Sequence, residues 1–193
     1  MEVVEKLAIG ALSLAMLGSG SAFAASNGTL NFEGAVTAVT CNVGVNGSGA
    51  SDATVTLPTV PATTLDAAGK VAGRTFMRFG LLDTTCSDGT GGAIPDSVSI
   101  FFTANSDIDV ATAGIGRLRN TAVGGAQNVA LQILGADLMP INLYGDAVAQ
   151  AAGANTVAAQ QGAVLNRYIE YYATGVSTAG SVRSIARYEL NYF

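Results

Sequence analysis

From Ser181 to Phe193 the sequence SVRSIARYELNYF places Val182, Ala186, Tyr188, Leu190 and Tyr192 at even positions and Arg183, Arg187, Glu189 and Asn191 at odd ones. A period of two sends successive side chains to opposite faces of an extended chain, so this is a strand with one face on a core and one in water. Such a strand needs an opposing apolar layer for its side chains and neighbours for its backbone. A second stretch of the same kind, GTLNFEGAVTAVTC (28–41), carries Leu30, Phe32, Val36 and Ala38 on one face, with Gly34 interrupting the row. The outer edge of the strand reaching Phe193 is expected to lack a partner, since no later residue is there to cover it.

Between these ends, ATVTL (53–57), RTFMRFGLL (74–82), DSVSIFFTA (96–104), NVALQILG (128–135) and LNRYIEYYATG (165–175) read as strands, and LMPINL (138–143) continues one after a turn at Ala136-Asp137. RLRN (117–120) reads as a short edge piece with Arg117 and Arg119 on the surface. Residues 62–70 allow one helical turn, and residues 146–162 read as loop because they have no steady apolar stripe and contain Gly153. Seven or eight short strands without a strong helix predict an all-β antiparallel sandwich.

Residues 7–17, LAIGALSLAML, followed by Ala22-Phe23-Ala24, read as a signal peptide cut after Ala24, although Lys6 is opposed by Glu2 and Glu5. Eleven apolar residues are too few to span a bilayer. Removing 24 of 193 residues leaves 169, the size of one domain, and takes the net charge from −5 to −4 with the loss of Lys6, Glu2 and Glu5. No basic stripe remains to hold phosphates, so nucleic acid is not an expected partner. In an exported chain the two cysteines, Cys41 and Cys86, are expected to form one disulfide. Closing that loop stabilises the fold by about 4 kcal/mol in the chain-entropy picture.

Catalytic chemistry is hard to find. Histidine is absent, removing the commonest general base and metal ligand. Asp107 and Asp109 share one side of an extended segment, where a solvated loop is the better reading than a weak calcium site. Gly89, Gly91 and Gly92 have no following helix to make a phosphate cradle, and Tyr168, Tyr171 and Tyr172 suit a sandwich core or subunit contact better than a binding face. Neither an enzyme nor a cofactor is expected.

The sequence resembles a major subunit of type 1-like chaperone–usher fimbriae across the expected mature chain. The likeness is carried by residues 28–41, DATVTLPTV (52–60), Cys86, GRLRNT (116–121), NVALQILGADLMPINL (128–143), YYATG (171–175) and GSVRSIARYELNYF (180–193), with Gly180 fourteenth from the end and Tyr192 next to last. The resemblance implies a pilin fold, an incomplete immunoglobulin-like sandwich over residues 38–193 completed by donor strand complementation. It assigns residues 25–37 as the donor extension, with Leu30, Phe32, Gly34 and Val36 entering a neighbour's groove. Gly180, Val182, Tyr188, Leu190, Tyr192 and Phe193 belong to the strand that lines the groove and meets the chaperone. Implied partners are other pilins, a periplasmic chaperone and an outer-membrane usher, with a destination in a cell-surface fimbria supporting adhesion. The alternative is a minor or tip-associated subunit that itself binds a ligand.

Overall fold

The computed structural model describes residues 41–82, 96–109, 115–153, 155–159 and 162–193. All of them lie in the compact unit Thr37–Phe193. The expected signal peptide, the arm with Leu30, Phe32, Gly34 and Val36, and Cys86 fall outside the described residues.

Nine described strands run β1 (Val43–Val45), β2 (Val71–Leu81), β3 (Ser97–Thr103), β4 (Ile108–Asp109), β5 (Arg117–Arg119), β6 (Val129–Leu134), β7 (Thr156–Ala158), β8 (Val164–Ala173) and β9 (Arg187–Tyr192). They form a six-stranded sheet of order β1-β2-β8-β6-β5-β4 and a three-stranded sheet of order β7-β3-β9, antiparallel throughout. The core is built from alternate residues of both sheets: Met77 and Phe79 of β2, Val98, Ile100 and Phe102 of β3, Leu131 and Ile133 of β6, and Leu165 and Ile169 of β8. This is the expected all-β sandwich.

The alternation in β2 changes phase partway. Met77, Phe79 and Leu81 face inward, but upstream it is Ala72 that packs on the apolar cluster. A bulge between Ala72 and Thr75 accounts for the shift. Gly73 sits there at φ 67°, and a Cβ on it would come within 2.8 Å of the Tyr171 ring. A strand read by strict alternation therefore begins at Arg74, whereas the ladder begins at Val71. The bulge also turns Arg74 onto Glu170, where Nε and the carboxylate meet at 2.8 Å.

Four expectations need correction. Residues 53–57 join no ladder among the described residues. Residues 138–143 contribute only a single bridge, Leu134 to Pro140, flanked by Gly135 N–H to Met139 O and Ile141 N–H to Ile133 O, and the pairing stops there because Leu143 N–H donates to Gly116 O instead, although Ile141 and Leu143 are buried as an alternating strand would bury them. The segment Arg117–Arg119 is no edge: β5 lies between β4 and β6, with Leu118 opposite both Ile108 and Leu131. Arg117 is accordingly buried, its guanidinium 3.6 Å above the Tyr172 ring and its Nε donating to Gln132 at 3.2 Å, while Arg119 is exposed as expected. Finally, residues 146–162 are not only loop. Asp146 accepts from Ala149 N–H at 2.8 Å to start α1 (Ala147–Ala151), and β7 follows.

Candidate functional site

β9 has its apolar row inward as its alternation predicts. Tyr188, Leu190 and Tyr192 pack against the core, and Arg187 and Glu189 face solvent. Its ladder with β3 runs from Thr103↔Arg187 to Val98↔Tyr192, and Ser97 and Phe193 then exchange both N–H···O bonds at 3.2 and 3.0 Å. In an antiparallel pair, such doubly bonded residues alternate with residues whose N–H and C=O turn away. Arg187, Glu189 and Asn191 therefore bond to β3, while Tyr188, Leu190 and Tyr192 offer their backbone groups to the opposite edge. Among the described residues, β9 pairs with β3 alone.

The chain entering β9 is fixed differently. Gly180 passes so close to the main chain of Gly125 and Ala126 that a Cβ would lie 2.7 Å from the Gly125 carbonyl carbon. Ala126 N–H then donates to Ser181 O at 2.9 Å. Asn120 completes the attachment: its Nδ2 donates to Ala126 O and Ser181 O, and its Oδ1 accepts from Arg183 N–H at 3.0 Å. Ile185 N–H donates to Asp107 Oδ2 at 2.9 Å, so Asp107 serves as a backbone partner, and no group of three metal-ligating side chains occurs among the described residues. Asn120 was invisible in the sequence as a site residue, because its partners lie about sixty positions away in the chain.

Opposite this wall lie residues 41–57. Between the two runs a groove in two parts. One part, about 620 Å³, reaches the core, with Met77, Phe79, Leu118, Leu131 and Ile169 as its floor. The other, about 970 Å³, lies against Cys41–Val43, Gly49–Asp52 and Leu82. Val55 and Leu57 turn toward the core, as ATVTL predicts, without any ladder to hold them. The sequence pattern of a strand is present; no ladder partner for it occurs among the described residues. Of the six residues expected on this strand, Val182 and Tyr188 line the deeper part and Leu190 the wider one, whereas Gly180, Tyr192 and Phe193 line neither. Cys41 stands at the rim and is disulfide-bonded.

Two tyrosines cross the groove. Tyr188 Oη donates to Ser51 O at 2.6 Å and Tyr192 Oη accepts from Cys41 N–H at 2.9 Å, with the Phe79 ring edge-on against Tyr188. Burial, and then the negative charge of Asp52, push the Tyr188 hydroxyl above its ordinary range. A phenol whose pKa is raised by folding adds stability that is complete below the unfolded value of about 10 and is lost as pH rises through the folded value. Arg167, fully buried and lowered by desolvation to about 10, acts in the opposite sense, since the fold favours its neutral form. The Tyr188 contribution is isolated by difference: above about pH 10 the urea midpoint of the wild-type chain is expected to fall more steeply than that of Tyr188→Phe. Parallel slopes would show that the hydroxyl is not ionised out of this bond.

The family model "FimA: Type-1 fimbrial protein, A" matches residues 57–193. The chain is 40% identical over 172 residues to the Major fimbrial subunit SMF-1 of Stenotrophomonas maltophilia, covering 87% of this chain and 94% of that protein. It is 38% identical over 182 residues to the F17 fimbrial protein of Escherichia coli, covering 94% and 96% respectively. Its fold is that of the P pilus rod subunit PapA, with a TM-score of 0.51 at 18% identity, over 86% of this chain and all of that one. The chain belongs to the type-1 fimbrial protein family, whose members are structural subunits of fimbriae and not enzymes.

Proposed function

We propose that the groove is the receiving site for donor strand exchange, and that residues 25–37 of one copy fill the groove of the next. The observation that carries this reading is the pair of unladdered edges that face each other across it. On one side are the outward backbone groups of Tyr188, Leu190 and Tyr192; on the other is the strand-patterned segment 53–57, which joins no ladder among the described residues. A strand laid between them completes both ladders at once and covers Met77, Phe79, Leu118, Leu131 and Ile169. Leu30, Phe32 and Val36 each contribute roughly 1.5–3 kcal/mol on burial there, and each new ladder bond about 0.5–1.5 kcal/mol.

Because the arm and the groove are different surfaces of one chain, the contact is head-to-tail and propagates as a filament wherever the rotation does not close. The chain then acts as a mechanical bead of a cell-surface fimbria that supports adhesion. Before assembly the exposed groove requires cover, which a periplasmic chaperone supplies by pairing with β9 up to Phe193. An outer-membrane usher is where the cover is exchanged for the next arm. The bond expected between Cys41 and Cys86 closes the domain that carries the load.

Phe32→Arg tests the reading, because a charge taken into this apolar floor has no partner there. Electron microscopy of expressing cells is expected to show no fibres from the variant, while the chaperone complex still purifies. Normal fibres from Phe32→Arg would refute the exchange.

A further inference from the structure

The two tyrosine bonds join the walls at places where no backbone ladder does. Tyr188 and Tyr192 stand four residues apart on β9, so their rings are spaced about 13 Å along the groove. Both reach main-chain atoms of the opposite wall, the Ser51 carbonyl and the Cys41 amide. Ser51, Ile185, Ala186 and Tyr188 line both parts of the groove, which places the Tyr188–Ser51 bond at their boundary. Ser51 belongs to a turn region tied down locally, by Val45 N–H to Ala50 O at 3.0 Å and Ser48 N–H to Val45 O at 3.0 Å. Nothing in that local bonding fixes its distance from β9; the tyrosine does.

We propose that Tyr188 and Tyr192 are struts that hold the two walls at the separation an incoming strand needs, and so are positioning residues for assembly. The inference rests on the groove being the receiving site. Both rings are on the inward face of β9, with the core cluster, so they lie beneath the plane in which a further strand would pair and need not be displaced by it. A groove already set to width spares the entering strand the ordering of its walls, and the benefit appears in how long the strand stays.

The test uses assembled fibres. Tyr188→Phe and Tyr192→Phe are each expected to assemble and then to dissociate into monomers in detergent about three- to tenfold faster than wild type, the worth of one hydrogen bond. Tyr168→Phe serves as the control: its ring packs on Phe76, and its hydroxyl makes no bond to residues 41–52 like those of Tyr188 and Tyr192, so its fibres should dissociate at the wild-type rate. Groove variants that dissociate at the wild-type rate, or more slowly, would overturn the proposal; the slower result would mean that the hydroxyls merely close an empty groove. If a groove variant makes no fibres, amide exchange on the monomer decides: faster exchange confined to Cys41–Asp52 supports the struts, and exchange raised throughout the domain overturns them. Absence of fibres from wild type, or normal fibres from Phe32→Arg, would overturn the receiving-site reading and the struts with it.

Discussion

Gly180→Val is expected to leave the chain without a stably folded domain, seen as loss of the cooperative urea transition. The first atom of any side chain at residue 180 would sit against the Ala126 amide nitrogen, 2.7 Å from the Gly125 carbonyl carbon and 2.9 Å from the Ala126 Cα. These are main-chain atoms, which have no rotamer by which to move aside. They are also committed elsewhere: Ala126 N–H to Ser181 O at 2.9 Å, Gln127 N–H to Thr178 Oγ1 at 2.9 Å and Thr178 N–H to Gln127 O at 3.3 Å. Relieving the clash means separating the two segments and giving up those bonds together. Overpacking alone costs about 1–3 kcal/mol, and the buried Ala126 amide left unpaired about 1–3 kcal/mol more, whereas the Gln127–Thr178 bonds are exposed and add less. Against a total stability of about 5–15 kcal/mol that is decisive. Gly180→Ala is expected to be milder but still destabilising, since the clash begins at Cβ. A Gly180→Val chain with a wild-type urea midpoint would show that the crossing of these segments is looser than described.

The parts of this architecture that were legible in the sequence are those where one residue's environment follows from its neighbours in the chain. Val129, Leu131 and Ile133, like Tyr188, Leu190 and Tyr192, alternate because a strand alternates, and period two recovers both the strand and its buried face. The phase change at Gly73 defeats the same reading, because a bulge inserts residues that no period anticipates. β4 and β7 are two and three residues long, shorter than any period that would reveal them, and β5 was legible as a short strand but not in its place between β4 and β6. Arg117 reads as a surface residue on composition. It is buried because Tyr172 and Gln132 offer a ring face and an amide oxygen, contacts set by sheet order. For the groove, one wall was legible and its geometry was not. The even row of β9 announces a strand needing cover, but the Tyr188–Ser51 and Tyr192–Cys41 bonds join residues 137 and 151 positions apart. The segment 53–57 is the instructive failure: its alternation is that of a strand, and a single chain supplies no partner to make it one among the described residues.

Gln150→Leu should lower stability by about 3–5 kcal/mol without removing any apolar contact, a loss measurable as a shift in the urea midpoint at unchanged slope. β7 covers β3 only from Ser97 to Ser99, which leaves the far half of that edge to be paired by something else. Gln150, 1% exposed at the end of α1, performs that pairing with its side chain. Its Oε1 accepts from Phe102 N–H at 3.0 Å and its Nε2 donates to Phe102 O at 3.1 Å, which is one rung of a ladder made by an amide that is not backbone. The same Nε2 donates to Gly145 O at 2.9 Å and so ties the loop before the helix to the sheet. Leucine has nearly the same volume, so packing is conserved, but two buried backbone groups of Phe102 and the half-buried Gly145 carbonyl lose their partners, and each costs about 1–3 kcal/mol, least at Gly145, partly recovered by relaxation and water. Gln150→Glu separates charge from shape. Its carboxylate can still accept from Phe102 N–H but faces the Phe102 and Gly145 carbonyls with no donor until it is protonated, which raises its pKa in the fold, so its urea midpoint should recover toward the wild-type value as pH falls through that raised pKa, with the recovery complete by about pH 4. A Gln150→Leu midpoint within about 0.5 kcal/mol of wild type would mean that water replaces the amide, and that this edge of β3 does not depend on the helix.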